Sequence, residues 1–165
     1  MVNLWRYVPD FDDLDENGKK TLSDFLFIWS LFEYHIFKNN MSITKIRSVT
    51  KEWDAKGLLE GEIFWQDELS YFKERYQQPS DIDSLHLGNS VGQKQDRDFK
   101  KVISGEETEA KKELTVMFII IYRYRNNLFY GNKWADKIKT HRKDCEQITS
   151  IMCKMLDRYL AVDHS

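Results

Sequence analysis

Proline occurs only twice in this chain of 165 residues, at Pro9 and Pro79, and glycine only seven times. A fold of many short strands needs a turn every few residues, and turns draw heavily on Gly and Pro. So few breakers exclude a sandwich or barrel and favour long helices. The length suits one domain, at one per ~100–200 residues. Such a chain buries about 70% of the surface its unfolded form exposes, so it needs no disulfide or metal to hold a core. With 41% apolar and 14% aromatic residues, intrinsic disorder is excluded as well.

Hydrophobic periodicity places the helices. From about Thr21 to Lys38, one face carries Leu22, Phe25, Leu26, Trp29, Phe32 and Phe37. Ile28, Leu31 and Ile36 add a second apolar side, which predicts a central helix ended by Asn39-Asn40. A shorter helix carries Ile43, Ile46, Val49 and Trp53, and the next carries Trp65, Leu69, Phe72 and Tyr76 up to Pro79. Residues 79–105 hold three of the glycines and read as a long loop or insertion, with a short helical piece near Arg97 to Ile103. A long helix spans about Glu106 to Leu128, apolar all round over Val116–Tyr122 and therefore buried. Gly131 marks its end, and a last helix runs from about Lys143 to Leu160. The expectation is an all-α single domain over 1–165, an antiparallel bundle of four to five helices.

Twenty-five basic and 27 acidic residues give a net charge of −2, which excludes coating of nucleic acid by bulk charge alone. The charge is segregated. Residues 10–16 contain Asp10, Asp12, Asp13, Asp15 and Glu16 and no base. Residues 123–143 contain Arg123, Arg125, Lys133, Lys137, Lys139, Arg142 and Lys143 against the single acid Asp136. A local polyanion site fits the second segment. Cys145 and Cys153, about 12 Å apart on a helix, are too distant to bridge and suit a reducing compartment. The first ten residues lack an apolar signal region, and no apolar run approaches the ~20 residues of a membrane span. The expectation is a soluble cytoplasmic protein with no membrane contact.

At the end of the long helix a buried apolar run passes straight into Tyr122-Arg123-Tyr124-Arg125-Asn126-Asn127-Leu128-Phe129-Tyr130-Gly131-Asn132-Lys133-Trp134. Arginine is almost never buried unpaired. A guanidinium leaving a hydrophobic helix therefore calls for an acid, a phosphate or another subunit. Arg125-Asn126-Asn127-Leu128-Phe129-Tyr130-Gly131, followed by Lys133, resembles the signature of the HEPN superfamily of helical bundles. That signature is an Arg, a polar residue and, a few positions on, a His; here Tyr130 stands in the His position. The aromatic-acidic segment Trp29 to Phe37, with Glu33, is also similar to the first helix of many members.

The resemblance implies a HEPN-like fold and a metal-independent endoribonuclease of a toxin–antitoxin or antiphage system. Two subunits of a homodimer would combine their half-sites, with no cofactor and no metal. The partners implied are RNA and an antitoxin or nucleotidyltransferase. RNA cleavage needs a base for the 2′-hydroxyl proton and an acid for the leaving 5′ oxygen, which histidine can supply near neutral pH. Arginine stabilises charge on the phosphate oxygens. On this likeness Arg125, Asn126 and Tyr130 are the catalytic positions. Arg123, Asn127 and Lys133 contact RNA, and Glu33 is a candidate orienting acid for Arg125. Phenols ordinarily titrate near pH 10, so Tyr130 is a poor base. Three accounts of it stay open: a variant that binds RNA or a partner but cuts poorly, a deliberate His-to-Tyr inactivation, or a hydroxyl that accepts a nucleotidyl group. The tyrosine modified in some members sits just beyond the His, where this chain has Asn132. Of the other histidines, His35, His86 and His164 read as ordinary residues, and His141, beside Arg142 and Lys143, is the best substitute.

Near the N-terminus, Asp13, Asp15, Asn17, Gly18 and Asp24 imitate a calcium loop. Lys20 stands where an apolar residue belongs, Asp24 where a glutamate is usual, and there is no second loop. The favoured expectation is an Asp-rich turn capping the first helix, with Thr21 or Ser23 near the cap.

Overall fold

The computed structural model describes residues 7, 10–78, 93–129 and 134–163. Among these are six α-helices and no strand: α1 (Glu16–Phe37), α2 (Ile43–Ala55), α3 (Gln66–Arg75), α4 (Gln93–Ser104), α5 (Ala110–Phe129) and α6 (Trp134–Asp163). The all-α expectation holds. None of the described helices is long and apolar enough to cross a membrane.

Asp15 caps α1, its Oδ1 accepting the Gly18 N–H at 2.6 Å. A side chain on Gly18 would start 3.1 Å from that oxygen and 3.2 Å from Leu14 Cδ2, so this turn leaves it little room. The cap is an aspartate, as expected of the turn, but it stands six residues before Thr21. Thr21 lies inside the helix, donating to the Asn17 carbonyl at 2.8 Å. Because α1 begins at Glu16, the stretch that would loop around a calcium ion is helix instead. Asp24 pairs with Lys20 one turn back, at 2.5 Å. At the other end Lys38 and Asn39 adopt left-handed backbone, and both of their N–H groups bond to the Glu33 carbonyl.

Leu22, Phe25, Trp29, Phe32 and Ile36, spaced three and four apart, bury one face of α1. Of the second apolar side expected for this helix, Ile36 is buried and Ile28 packs against the core, while Leu31 lies open. Phe27 is 67% exposed and Tyr34 57%, and Leu26 and Leu31 lie open beside them. α1 is therefore covered on one side only. The central helix is α5, whose residues 116–121 are all buried. Phe118 packs at the middle, with ring centroids 6.1 Å from Phe32, 5.3 Å from Phe37 and 5.6 Å from Trp53.

Contacts fix the directions. Near its start α5 meets the end of α2, through Lys111–Asp54 at 2.8 Å and Thr115–Thr50 at 3.3 Å. Near its end, Tyr124 and Phe129 meet Phe25 in the first half of α1. α5 thus runs antiparallel to α1 and α2. The most extensive helix pair, α1 with α6, runs parallel. Arg142 approaches Asp15 at their starts, and the Lys38 ammonium lies over the Tyr159 ring at their ends. The expectation of a uniformly antiparallel bundle is corrected at this pair: both helices are antiparallel to α5, so they must be parallel to each other.

Three buried carboxylates fasten α3. Glu113 of α5 accepts from Trp65 Nε1 at 3.0 Å and Gln66 Nε2 at 3.3 Å. Glu68 accepts from Ser150 Oγ at 2.7 Å and pairs with Lys154 at 2.8 Å. Asp144 of α6 accepts from the Tyr71 hydroxyl at 2.5 Å and Arg75 Nε at 3.3 Å. Buried charge is tolerated because each is hydrogen-bonded and paired.

Two element boundaries differ from expectation. The 79–105 insertion contains α4, twelve residues long, with Phe99, Val102 and Ile103 buried; residues 79–92 lie outside the described residues. α6 starts at Trp134, earlier than Lys143, and is interrupted at His141, whose φ of −129° and ψ of 31° are not helical.

Candidate nucleic-acid interface

The last turns of α5 carry the motif, and helical geometry sends its side chains in different directions. Leu128 enters the core. Tyr124 packs edge-on to Phe25, and its hydroxyl reaches the His141 carbonyl at 3.4 Å. Burial, with Cys145 alongside, raises the Tyr124 pKa far above the ordinary phenol value. The Cys145 thiol is pushed up to about 12, mainly by burial.

Arg125 also meets α1, one turn beyond Phe25. Its guanidinium carbon lies 5.4 Å from the Trp29 ring centre and 5.4 Å from that of Phe129. Nη1 donates to Asn126 Oδ1 at 3.2 Å, and the buried Nε has no hydrogen-bond partner among the described residues. No carboxylate among those residues pairs with Arg125. Guanidinium–aromatic contacts of this kind contribute about 0.5–2 kcal/mol. They fix the plane of the cation without consuming its N–H donors, which suits a bidentate oxyanion.

Glu33, the expected orienting acid, takes a different partner. Its Oε1 accepts the Met41 N–H at 3.3 Å, and no ion pair joins it to Arg125 among the described residues. Trp29, one turn earlier, is what α1 contributes to Arg125. The guanidinium of Arg123 lies 5.6 Å from the Tyr122 ring, and burial lowers its pKa from the ordinary value while Tyr122 opposes that shift. Asn126 and Asn127 are half-buried. Tyr130, Gly131, Asn132 and Lys133 lie outside the described residues.

A second constellation surrounds the α6 interruption, and only His141 was singled out from sequence. His141 Nδ1 faces Asp144 Oδ2 at 3.6 Å; the imidazole is 47% exposed and the carboxylate 7%. The Lys143 ammonium lies 5.2 Å from the ring centre of Tyr71. Burial first, and the bond to Asp144 second, raise the Tyr71 pKa. No local pattern announces this cluster, because Tyr71 and Arg75 are far from Asp144 in the chain.

The segregated charges of the sequence also meet here. Lys139 lies 3.6 Å from Asp13 and Arg142 3.7 Å from Asp15. The acidic turn therefore covers part of the basic segment. Among the described residues no cluster of His, Cys, Asp and Glu could hold a metal ion. Comparison with protein-family models, with curated proteins and with solved structures returns no match.

Proposed function

We propose that this chain is a HEPN-like, metal-independent endoribonuclease of the toxin–antitoxin or antiphage kind, acting on RNA through Arg125 in a homodimer. One observation carries the reading: a half-buried guanidinium, fixed between Trp29 and Phe129, with no carboxylate partner among the described residues. A phosphate diester supplies the planar pair of oxygens that such a cation lacks. Asn126 orients it, and Arg123 and Lys133 add charge along the strand.

The open face of α1 supports the dimer. Leu26, Phe27, Leu31 and Tyr34 form an apolar strip with Ser23 and Ser30 among them. A two-fold axis near Leu31 sets the Asp24 end of one copy against the Lys38 end of the other, so charge and apolar surface match together.

Tyr130 in the His position favours a second reading, a non-catalytic dimer that binds RNA or a partner protein in the same kind of system. Cleavage of labelled RNA in EDTA separates the two, compared for this chain, for Tyr130→His, and for Arg125→Ala added to that variant. The nuclease reading expects cleavage by the His form and its loss with Arg125. No cleavage by either form, on structured or single-stranded RNA, leaves the binding reading alone.

A further inference from the structure

His141 has the surroundings of a proton-transfer group rather than of a surface histidine. Its Nδ1 side is occupied by Asp144 at 3.6 Å, which leaves Nε2 on the opposite side of a half-exposed ring. Asp144 is itself held in place by the Tyr71 hydroxyl and Arg75 Nε. A carboxylate on the Nδ1 side, though beyond hydrogen-bond distance, favours a proton there and leaves the other nitrogen to act as a base. The backbone of His141 lies at the kink between the two helical segments of α6. Lys143 and Arg75 supply positive charge beside it.

We infer that His141, oriented by Asp144, is the proton-transfer residue of the RNA cleavage proposed above, in place of Tyr130; the inference rests on that reading. Nε2 takes the proton of a ribose 2′-hydroxyl. The 2′ oxygen forms its bond to phosphorus as the bond from phosphorus to the 5′ oxygen breaks. The same imidazolium returns the proton to the leaving 5′ oxygen. The products are a 2′,3′-cyclic phosphate and a 5′-hydroxyl, and nothing else is consumed. Lys143 neutralises charge on the phosphate, while Arg125 holds the strand. Asp144 is a positioning residue.

Asp144 of α6 faces the imidazole; Tyr71 and Arg75 of α3 bond to that carboxylate, the Lys143 ammonium lies over Tyr71, the Tyr124 hydroxyl of α5 reaches the His141 carbonyl, and Arg142 is the next residue in the chain. The test measures RNA cleavage in EDTA across pH for the chain as it stands, for His141→Asn, for Asp144→Asn and for Tyr130→His, with circular dichroism to confirm folding. The expected result is cleavage by the unaltered chain, lost by about a hundredfold or more in His141→Asn. Asp144→Asn should lower the rate and shift the limb of the pH profile that reports the base, a change a merely structural role would not produce. Equal cleavage by the unaltered chain and folded His141→Asn overturns the inference and leaves the nuclease reading standing. Cleavage by Tyr130→His but not by the unaltered chain does the same. Absence of cleavage in every form overturns both.

Discussion

Replacing Arg125 by lysine keeps the charge and removes the plane. A lysine ammonium is a strongly hydrated point charge and cannot bind an oxyanion in bidentate fashion. Arg125→Lys is therefore expected to weaken RNA binding by about 1–2 kcal/mol, roughly tenfold, as read by fluorescence anisotropy with folding unchanged. The thiols give an independent check on burial. Cys145 is buried with its pKa pushed to about 12, whereas Cys153 is half-exposed. A thiol-reactive dye at mild alkaline pH should label Cys153 in the folded protein and Cys145 only after unfolding. Equal labelling rates would show that the α6 core is looser than described. Arg125 and Asn126 were legible in the sequence because the motif is contiguous. Trp29 as the partner of Arg125 was not, since its ring arrives from a helix nearly a hundred residues away. The misplaced expectation, Glu33, is its neighbour one turn on; the residues at the end of α1 draw that carboxylate to Met41.

Among the helices, α3 shows how buried polar groups fix position. Glu113→Ala would leave the Trp65 indole N–H and Gln66 without their acceptor. The expected cost is about 3 kcal/mol, from an abandoned buried donor and the loss of the ion pair with Lys73 at 3.8 Å, measurable by urea unfolding. Tyr71 and Tyr124 both have raised folded-state pKa values, so they stabilise the fold fully below the unfolded phenol value near 10. That contribution is lost as pH rises above it, because the unfolded state then releases protons that the folded state holds. Phenolate absorbance should show two tyrosines that ionise only as the protein unfolds. The long helices were legible because their apolar residues recur without interruption. α4 offered only Phe99, Val102 and Ile103 among charged neighbours, too short a period to fix its start. The early turns of α6 carry only Ala135 and Ile138 as buried apolar residues among charged neighbours, too few to fix its start.

For the whole molecule, two surfaces matter. On α1, Ile28 and Ile36 are packed as expected, while Leu31 and Leu26 lie open with Phe27 and Tyr34: periodicity shows that a face is apolar, not what covers it. Phe27→Glu is expected to convert a dimer into a monomer by light scattering at micromolar concentration. A monomer before substitution contradicts the dimer. The acidic turn lies on the basic segment of α6, so the near-neutral net charge conceals an internal pairing. Exposed pairs of this sort are individually weak. Asp13→Asn should therefore raise RNA affinity only a few-fold, and less at high salt. On the proposed reading, Arg125 holds an RNA phosphate. The most direct test of this is the salt dependence of RNA affinity for the chain and for Arg125→Ala, measured by anisotropy with a labelled single strand. Loss of one phosphate contact should weaken binding about tenfold at low salt and flatten the log–log slope by ~0.7. Identical affinity and slope in the two proteins would contradict it.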